Sequence, residues 1–278
     1  MVKFPVMRGR ILDLSRPLVM GILNVTPDSF YDGGKYLSEI KVTGRIHQIM
    51  EEGADIIDVG ACSTRPGAEV VDEKEEMARL EPAIELIRRY YPEAVVSIDT
   101  FRAGVAEEIN RCLGPVIIND ISGGTMDERM FEYVAASGVP YIMMHIQGTP
   151  RMMQKHPVYE NVVGDVRKFF TDRIGRLNGL GFDNIILDPG FGFGKTLEHN
   201  YQLMEGMDSF RQLGYPLLVG ISRKGMIWKL LGITPEEALN GTTVLNTVAL
   251  LKGADILRVH DVKEAVEAVK IVGMLKQG

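Results

Sequence analysis

The sequence predicts an α/β fold, a single (β/α)8 barrel of the TIM type with a short N-terminal hairpin. Three observations carry that reading. Eight short apolar runs recur along the chain, most of them near-continuous, as in parallel strands covered on both faces. A segment of helical spacing follows each run. The 278 residues contain no Ser/Pro-rich linker and no shift of composition, so 1–278 reads as one domain of ordinary barrel length. A doubly wound open sheet is the structural alternative for the same alternation.

The elements follow in order. Residues 1–16 carry Phe4-Pro5-Val6 and Gly9-Arg10-Ile11-Leu12-Asp13-Leu14, a short hairpin placed to cover one end of the barrel. Strands are expected at 18–24, 56–60, 95–99, 116–120, 141–145, 185–188, 217–222 and 256–260. Helices are expected at 38–52, 72–90, 102–111, 127–137, 162–180, 197–213, 235–251 and 262–275. In the last, Ala265, Val266, Val269 and Val272 fall on one face.

Composition narrows the function. Apolar residues make up 45% and charged residues 24%, ordinary values for a globular protein. A formal net charge of -6 argues against a general nucleic-acid binder, though not against a local anion pocket. No apolar run reaches the roughly 18 residues of a membrane span, and the N-terminus has no signal-peptide core. Cys62 and Cys112 lack metal-type spacing and fit a reduced, cytoplasmic setting.

In such a barrel the loops after the strands open onto one face, which holds the site. The polar residues at the strand ends are Asn24, Ser63-Thr64-Arg65, Asp99, Asn119, His145, Asp188, Ser222-Arg223-Lys224 and Arg258-Val259-His260. Asp188 enters the glycine-rich stretch Pro189-Gly190-Phe191-Gly192-Phe193-Gly194-Lys195, where the backbone can approach a flat or bulky group beside Phe191 and Phe193. Asp99, Asn119 and Asp188 together offer the acceptors and amide that read the edge of a flat nitrogen heterocycle. Asp99 and Asp188 are equally placed to cap helices, and Asn119 to bond within the barrel wall.

Arg258 and His260 lie two apart on one strand and so share a face; Arg suits bidentate phosphate recognition. A rim salt bridge from Arg258 to Asp261 is the structural alternative. Lys224 is placed either to donate to a bound ring or, desolvated, to form a Schiff base as in an aldolase. His145 reads as a core hydrogen-bonding residue. The long stretches after 24 and around 62–68 read as lids.

Taken together, Met20-Gly21-Ile22-Leu23-Asn24-Val25-Thr26-Pro27-Asp28-Ser29-Phe30, Ser63-Thr64-Arg65-Pro66-Gly67, Ser97-Ile98-Asp99-Thr100, Ile118-Asn119-Asp120-Ile121, Leu187-Asp188-Pro189-Gly190, Ser222-Arg223-Lys224 and Arg258-Val259-His260-Asp261 resemble the dihydropteroate synthase family. The resemblance spans the chain after the hairpin. It implies a transferase of folate biosynthesis that joins 6-hydroxymethyl-7,8-dihydropterin diphosphate to 4-aminobenzoate. Asp99, Asn119, Asp188, Phe193 and Lys224 would hold the pterin, and Arg258 and His260 the diphosphate. Asn24 would help place a Mg2+ ion. Thr64, Arg65 and Pro66 would form the lid near the aminobenzoate, with Ser222, Arg223 and Gly225 on its other side.

Asp99, Lys224, Arg258 and His260 would carry the chemistry. The resemblance also implies a homodimer and sensitivity to sulfonamides. Gly225 stands where many relatives have serine, and Ala61-Cys62 where Gly-Glu is usual. A pterin-dependent methyltransferase on the same barrel, a Schiff-base aldolase and a non-catalytic paralogue are the competing readings.

Overall fold

A computed structural model of the chain describes residues 3–6, 10–25, 34–61, 71–148, 153 and 157–275. At the N-terminus β1 (Lys3–Val6) and β2 (Arg10–Asp13) pair antiparallel. Eight parallel strands follow: β3 (Leu18–Asn24), β4 (Ile56–Gly60), β5 (Val95–Asp99), β6 (Ile117–Asp120), β7 (Tyr141–Met144), β8 (Ile185–Asp188), β9 (Leu218–Val219) and β10 (Ile256–Val259). They run β8-β7-β6-β5-β4-β3-β10-β9, so the last strand pairs with the first, Ile256 opposite Leu18. A parallel bridge between Leu187 and Leu217 joins the two ends of that row. The sheet is therefore a barrel and not an open, doubly wound layer.

The helices between the strands are α1 (Gly34–Glu51), α2 (Glu73–Tyr90), α3 (Ala103–Leu113), α4 (Met130–Ser137), α5 (Val162–Gly179), α6 (Leu197–Glu205), α7 (Asp208–Arg211), α8 (Gly225–Leu231), α9 (Leu239–Leu251) and α10 (Val262–Leu275). Three expectations change. The helix expected over 197–213 breaks at Gly206-Met207 into α6 and α7, where glycine is the poorest non-proline helix former. The one expected from 235 starts only at Leu239, after a turn in which Ala238 N–H donates to the Pro235 carbonyl. The strand expected over 217–222 pairs with β10 at Leu218 and Val219 alone, because the chain then turns, Lys224 N–H donating to the Ile221 carbonyl at 3.1 Å.

Strand alternation divides the apolar residues into two layers. Val19, Ile57, Val96, Ile118, Tyr141, Ile185, Val219 and Leu257 face outward into the large core shared with the helices. Leu18, Met20, Ile56, Ile117, Ile142, Ile186, Leu218 and Ile256 face inward and fill the barrel floor, and Leu12 of the hairpin packs into the same cluster. Two residues further along, the same inward face carries Asp58, Ser97, Asn119, Asp188 and Arg258. Among the described residues, no helix is long and apolar enough to cross a membrane.

Candidate active site

Arg258 organises the upper interior. It leaves β10 pointing inward, where Nε donates to Asp58 Oδ2 at 2.6 Å and Nη2 to Asp99 Oδ2 at 2.9 Å. Asp58 is fully buried and also accepts from Asn119 Nδ2 at 3.3 Å. A buried carboxylate between an arginine and an amide is a fixed element, since loss of either partner would strand its charge or leave lone pairs unpaired. Burial opposes the charge on Arg258, but Asp58 and Asp99 outweigh it and raise its pKa further. Asp99 is pushed up to about 7 by burial, against the pull of Arg258. Its proton is therefore exchangeable near neutrality, whereas Arg258 stays charged.

The loop after β8 supplies the opposite wall. Asp188 Oδ1 accepts the Gly190 N–H at 2.8 Å, which folds the chain sharply off the strand. Gly190 has φ 70°, and a Cβ there would lie 1.9 Å from the His145 carbonyl oxygen, so only glycine fits. Burial raises the Asp188 pKa, opposed first by Lys224. Lys224 Nζ donates to the Phe191 carbonyl at 2.6 Å and sits 4.5 Å from the centre of the Phe193 ring. Burial lowers its pKa to about 8, against the pull of Asp188. Phe193 belongs to an apolar cluster at the barrel mouth with Ile121, Met144, Ile146 and Met153, and Phe101 packs against it.

His260 follows β10. Ser222 Oγ accepts the His260 backbone N–H at 3.2 Å and lies 3.0 Å from its Nδ1. The contact pairs the serine hydroxyl with the ring nitrogen nearest the backbone and fixes the orientation of the imidazole. Burial, reinforced by Arg258, lowers the His260 pKa to about 4. The ring is thus held neutral beside the arginine.

The structure places the sequence-derived residues unevenly. It brings Asp99, Asn119, Asp188, Phe193, Lys224 and Arg258 together at the barrel mouth, with His260 and Ser222 beside them. Asp99 does not cap α3; its first N–H, that of Ala103, goes to Asp127 Oδ2 at 2.8 Å. The rim salt bridge considered for Arg258 belongs to Arg223 instead, whose Nε and Nη2 each reach Asp261 at 2.9 Å. Arg223 also donates to the carbonyls of Pro235 and Glu236 and holds φ at 53°, so its head group ties the β9–α8 turn to the turn before α9. The sequence expects it beside a substrate; here the guanidinium bonds to the scaffold. Ser222, likewise expected beside a substrate, spends its hydroxyl on His260.

Gly225 opens α8, and Asn24 ends β3 in an exposed position. Thr64, Arg65 and Pro66 lie outside the described residues, as do all of the expected lid 62–68 and residues 26–33 of the other. His145 bonds internally, to Lys195 Nζ at 3.0 Å.

Sequence reasoning missed two residues. Asp58 lies inside Ile56-Ile57-Asp58-Val59, a lone carboxylate in a buried strand, which is the same signal that singled out Asn119. Lys195 closes the glycine-rich stretch and is buried to 3% exposure; nothing in its sequence position distinguishes it from a solvated lysine.

Comparison with known proteins places this geometry. The family model described as pterin binding enzyme matches residues 20–260. The dihydropteroate synthase of Escherichia coli (strain K12) is 45% identical over 267 residues, 95% of this chain and 94% of the relative. That of Haemophilus influenzae is 42% identical over 265 residues, covering 95% of each. Among solved structures, the Yersinia pestis dihydropteroate synthase with a sulfonamide drug complex superposes with TM-score 0.91 at 41% identity over the whole of both chains. The Xanthomonas albilineans enzyme in complex with 7,8-dihydropteroate gives 0.86 at 35% identity over 99% of each. The chain belongs to the dihydropteroate synthase family of pterin-binding enzymes.

Proposed function

We propose that the chain makes 7,8-dihydropteroate by joining 4-aminobenzoate to 6-hydroxymethyl-7,8-dihydropterin diphosphate. The observation that carries this reading is the juxtaposition in one barrel mouth of a donor–acceptor wall and an anion end. Asp58, Asn119, Asp99 and Asp188 supply the wall; Arg258 and neutral His260 supply the end. The wall matches the amino and ring N–H groups of a pterin, and Phe193 with its apolar neighbours covers a ring face.

In the reaction the C–O bond between the pterin methylene and diphosphate breaks, with its electron pair leaving on the diphosphate oxygen. The aminobenzoate nitrogen forms the new C–N bond and releases a proton. Arg258 and His260 would bind the departing anion, and Asp99 and Asp188 would face the positive charge that develops on the ring. Lys224 holds the loop that carries Phe193 and donates toward the ring edge.

An all-oxygen site for Mg2+ fits what is present. Asn24 ends β3 beside Gly60, where a Cβ would lie 3.5 Å from Asn24 Oδ1 and 3.9 Å from Asp99 Oδ2, so the missing side chain keeps the space between them open. Mg2+ is commonly held by one or two protein oxygens with substrate phosphate and water. Asn24 would be the protein ligand, and the ion would neutralise diphosphate charge.

Support for a homodimer comes from exposed apolar side chains on three neighbouring helices: Leu230 and Leu231 on α8, Val244 and Leu251 on α9, Ile271, Met274 and Leu275 on α10. We place the reaction in the cytoplasm, and sulfonamides at the aminobenzoate position.

The deciding experiment follows diphosphate release with Mg2+, with and without 4-aminobenzoate. Dihydropteroate formed only when the amine is present supports the reading. Pterin binding without turnover under any condition would overturn it.

A further inference from the structure

Lys195 is among the buried titratable groups that the mechanism leaves unused. Lys195 Nζ is enclosed by protein: it donates to the Gly190 carbonyl at 2.9 Å, the Phe193 carbonyl at 3.0 Å and His145 Nδ1 at 3.0 Å. Burial lowers its pKa to about 7, against the pull of Asp188; an amine removed from water is costly unless it is well bonded, and the three short bonds meet that cost. The two carbonyls belong to the two ends of the Gly190–Phe193 loop. Lys224 takes the carbonyl between them, that of Phe191, at 2.6 Å from the site side. One short loop is thus held at three carbonyls by two lysines, and it carries both the Phe193 ring and the turn that fixes Asp188.

The outer tie has its own support. His145 extends β7 and packs edge-on against Phe169 at 4.8 Å. Its pKa lies well below the usual value, through burial and then the charge of Lys195, so its Nδ1 stays an acceptor for Nζ. Tyr159 Oη adds a bond to the Gly194 carbonyl at 2.8 Å.

We propose that Lys195 is a positioning residue for pterin recognition, clamping the Gly190–Phe193 loop from beneath so that Lys224 and Phe193 are held ready at the site. The proposal rests on the pterin reading for its ligand, though the clamp itself is a property of the unliganded chain.

The test uses the full chain with Lys195→Met, which keeps the length and removes the charge. Hydrogen exchange without ligand is measured first: faster exchange confined to the segment 188–196, with the helices unchanged, is expected. Uniformly faster exchange, or no change in the segment, overturns the clamp whatever the chain binds. Pterin affinity is then measured by calorimetry in a double-mutant cycle with Lys224→Met. Lys195→Met is expected to weaken binding about tenfold alone and less than about threefold in the Lys224→Met background, as for two residues acting through one loop. Equal losses in both backgrounds overturn the proposal.

If Lys195→Met does not fold, His145→Phe serves in its place. It removes one acceptor while keeping a ring, and smaller losses in the same pattern are expected; an unchanged segment overturns the clamp. Wild-type chain that fails to bind pterin refutes the proposed function alone, because the exchange experiment still decides the clamp.

Discussion

The floor and the mouth of the barrel differ by a single step along each strand. Ile56, Ile117, Ile186 and Ile256 seal the floor; Asp58, Asn119, Asp188 and Arg258, each two residues later, line the candidate site. The step is roughly 7 Å of strand. Below it stability comes from apolar burial, which tolerates isosteric exchange. Above it the same pleat holds charges that are tolerable only because they are paired. The site is therefore a polar layer stacked on a hydrophobic one, and the two should fail in different ways.

The largest effect expected is from Asp58→Ala. It leaves the buried guanidinium of Arg258 with Asp99 alone and releases Asn119, and should cost about 3–5 kcal/mol in chemical denaturation together with pterin affinity. Ile186→Ala, one layer down, should cost about 2–5 kcal/mol of stability but leave the pterin affinity of the folded protein unchanged. If both variants lose affinity in proportion to stability, the layers are not separable.

A smaller effect concerns pH. The His260 pKa is about 4 when folded and about 6.5 in an unfolded chain. The unfolded state therefore takes up the proton first, and stability is lost as pH falls from about 6.5 toward 4. Relative to His260→Asn, the wild type should lose on the order of 2 kcal/mol across that window; parallel curves for the two proteins would show that the ring is not held neutral.

The smallest effect expected is from Gly225→Ser. A Cβ there would meet nothing nearer than 3.5 Å, so the substitution is admitted. The added hydroxyl at the start of α8 should lower the Michaelis constant for aminobenzoate a few-fold, within the roughly 0.5–1.5 kcal/mol of one hydrogen bond. An unchanged constant would remove Gly225 from that side of the site.

How much of this was legible follows from where each signal lies. The strands were legible because parallel strands buried on both faces are locally apolar, and Asn119 stood out against that background. Asp58 carries the same signal, but attention to strand ends passed over a residue in mid-strand. Pairings were not legible: Asp261 sits next to His260 and three residues from Arg258, yet its partner is Arg223, 38 positions away. The burial of Lys195 was likewise invisible, since it depends on His145, 50 positions earlier. Local pattern specifies which residues face inward; which of them meet is decided by barrel closure.

The pairing of β10 with β3 has a consequence for how the molecule is made. Arg258 is separated from Asp58 by 200 residues and from Asp99 by 159. At a synthesis rate of roughly 5–20 residues per second, about 10–40 s pass between the appearance of Asp58 and that of its cation. Throughout that interval the nascent chain carries the Asp58 carboxylate without its Arg258 partner. Closing the ring and pairing that carboxylate therefore both wait for the same late strand.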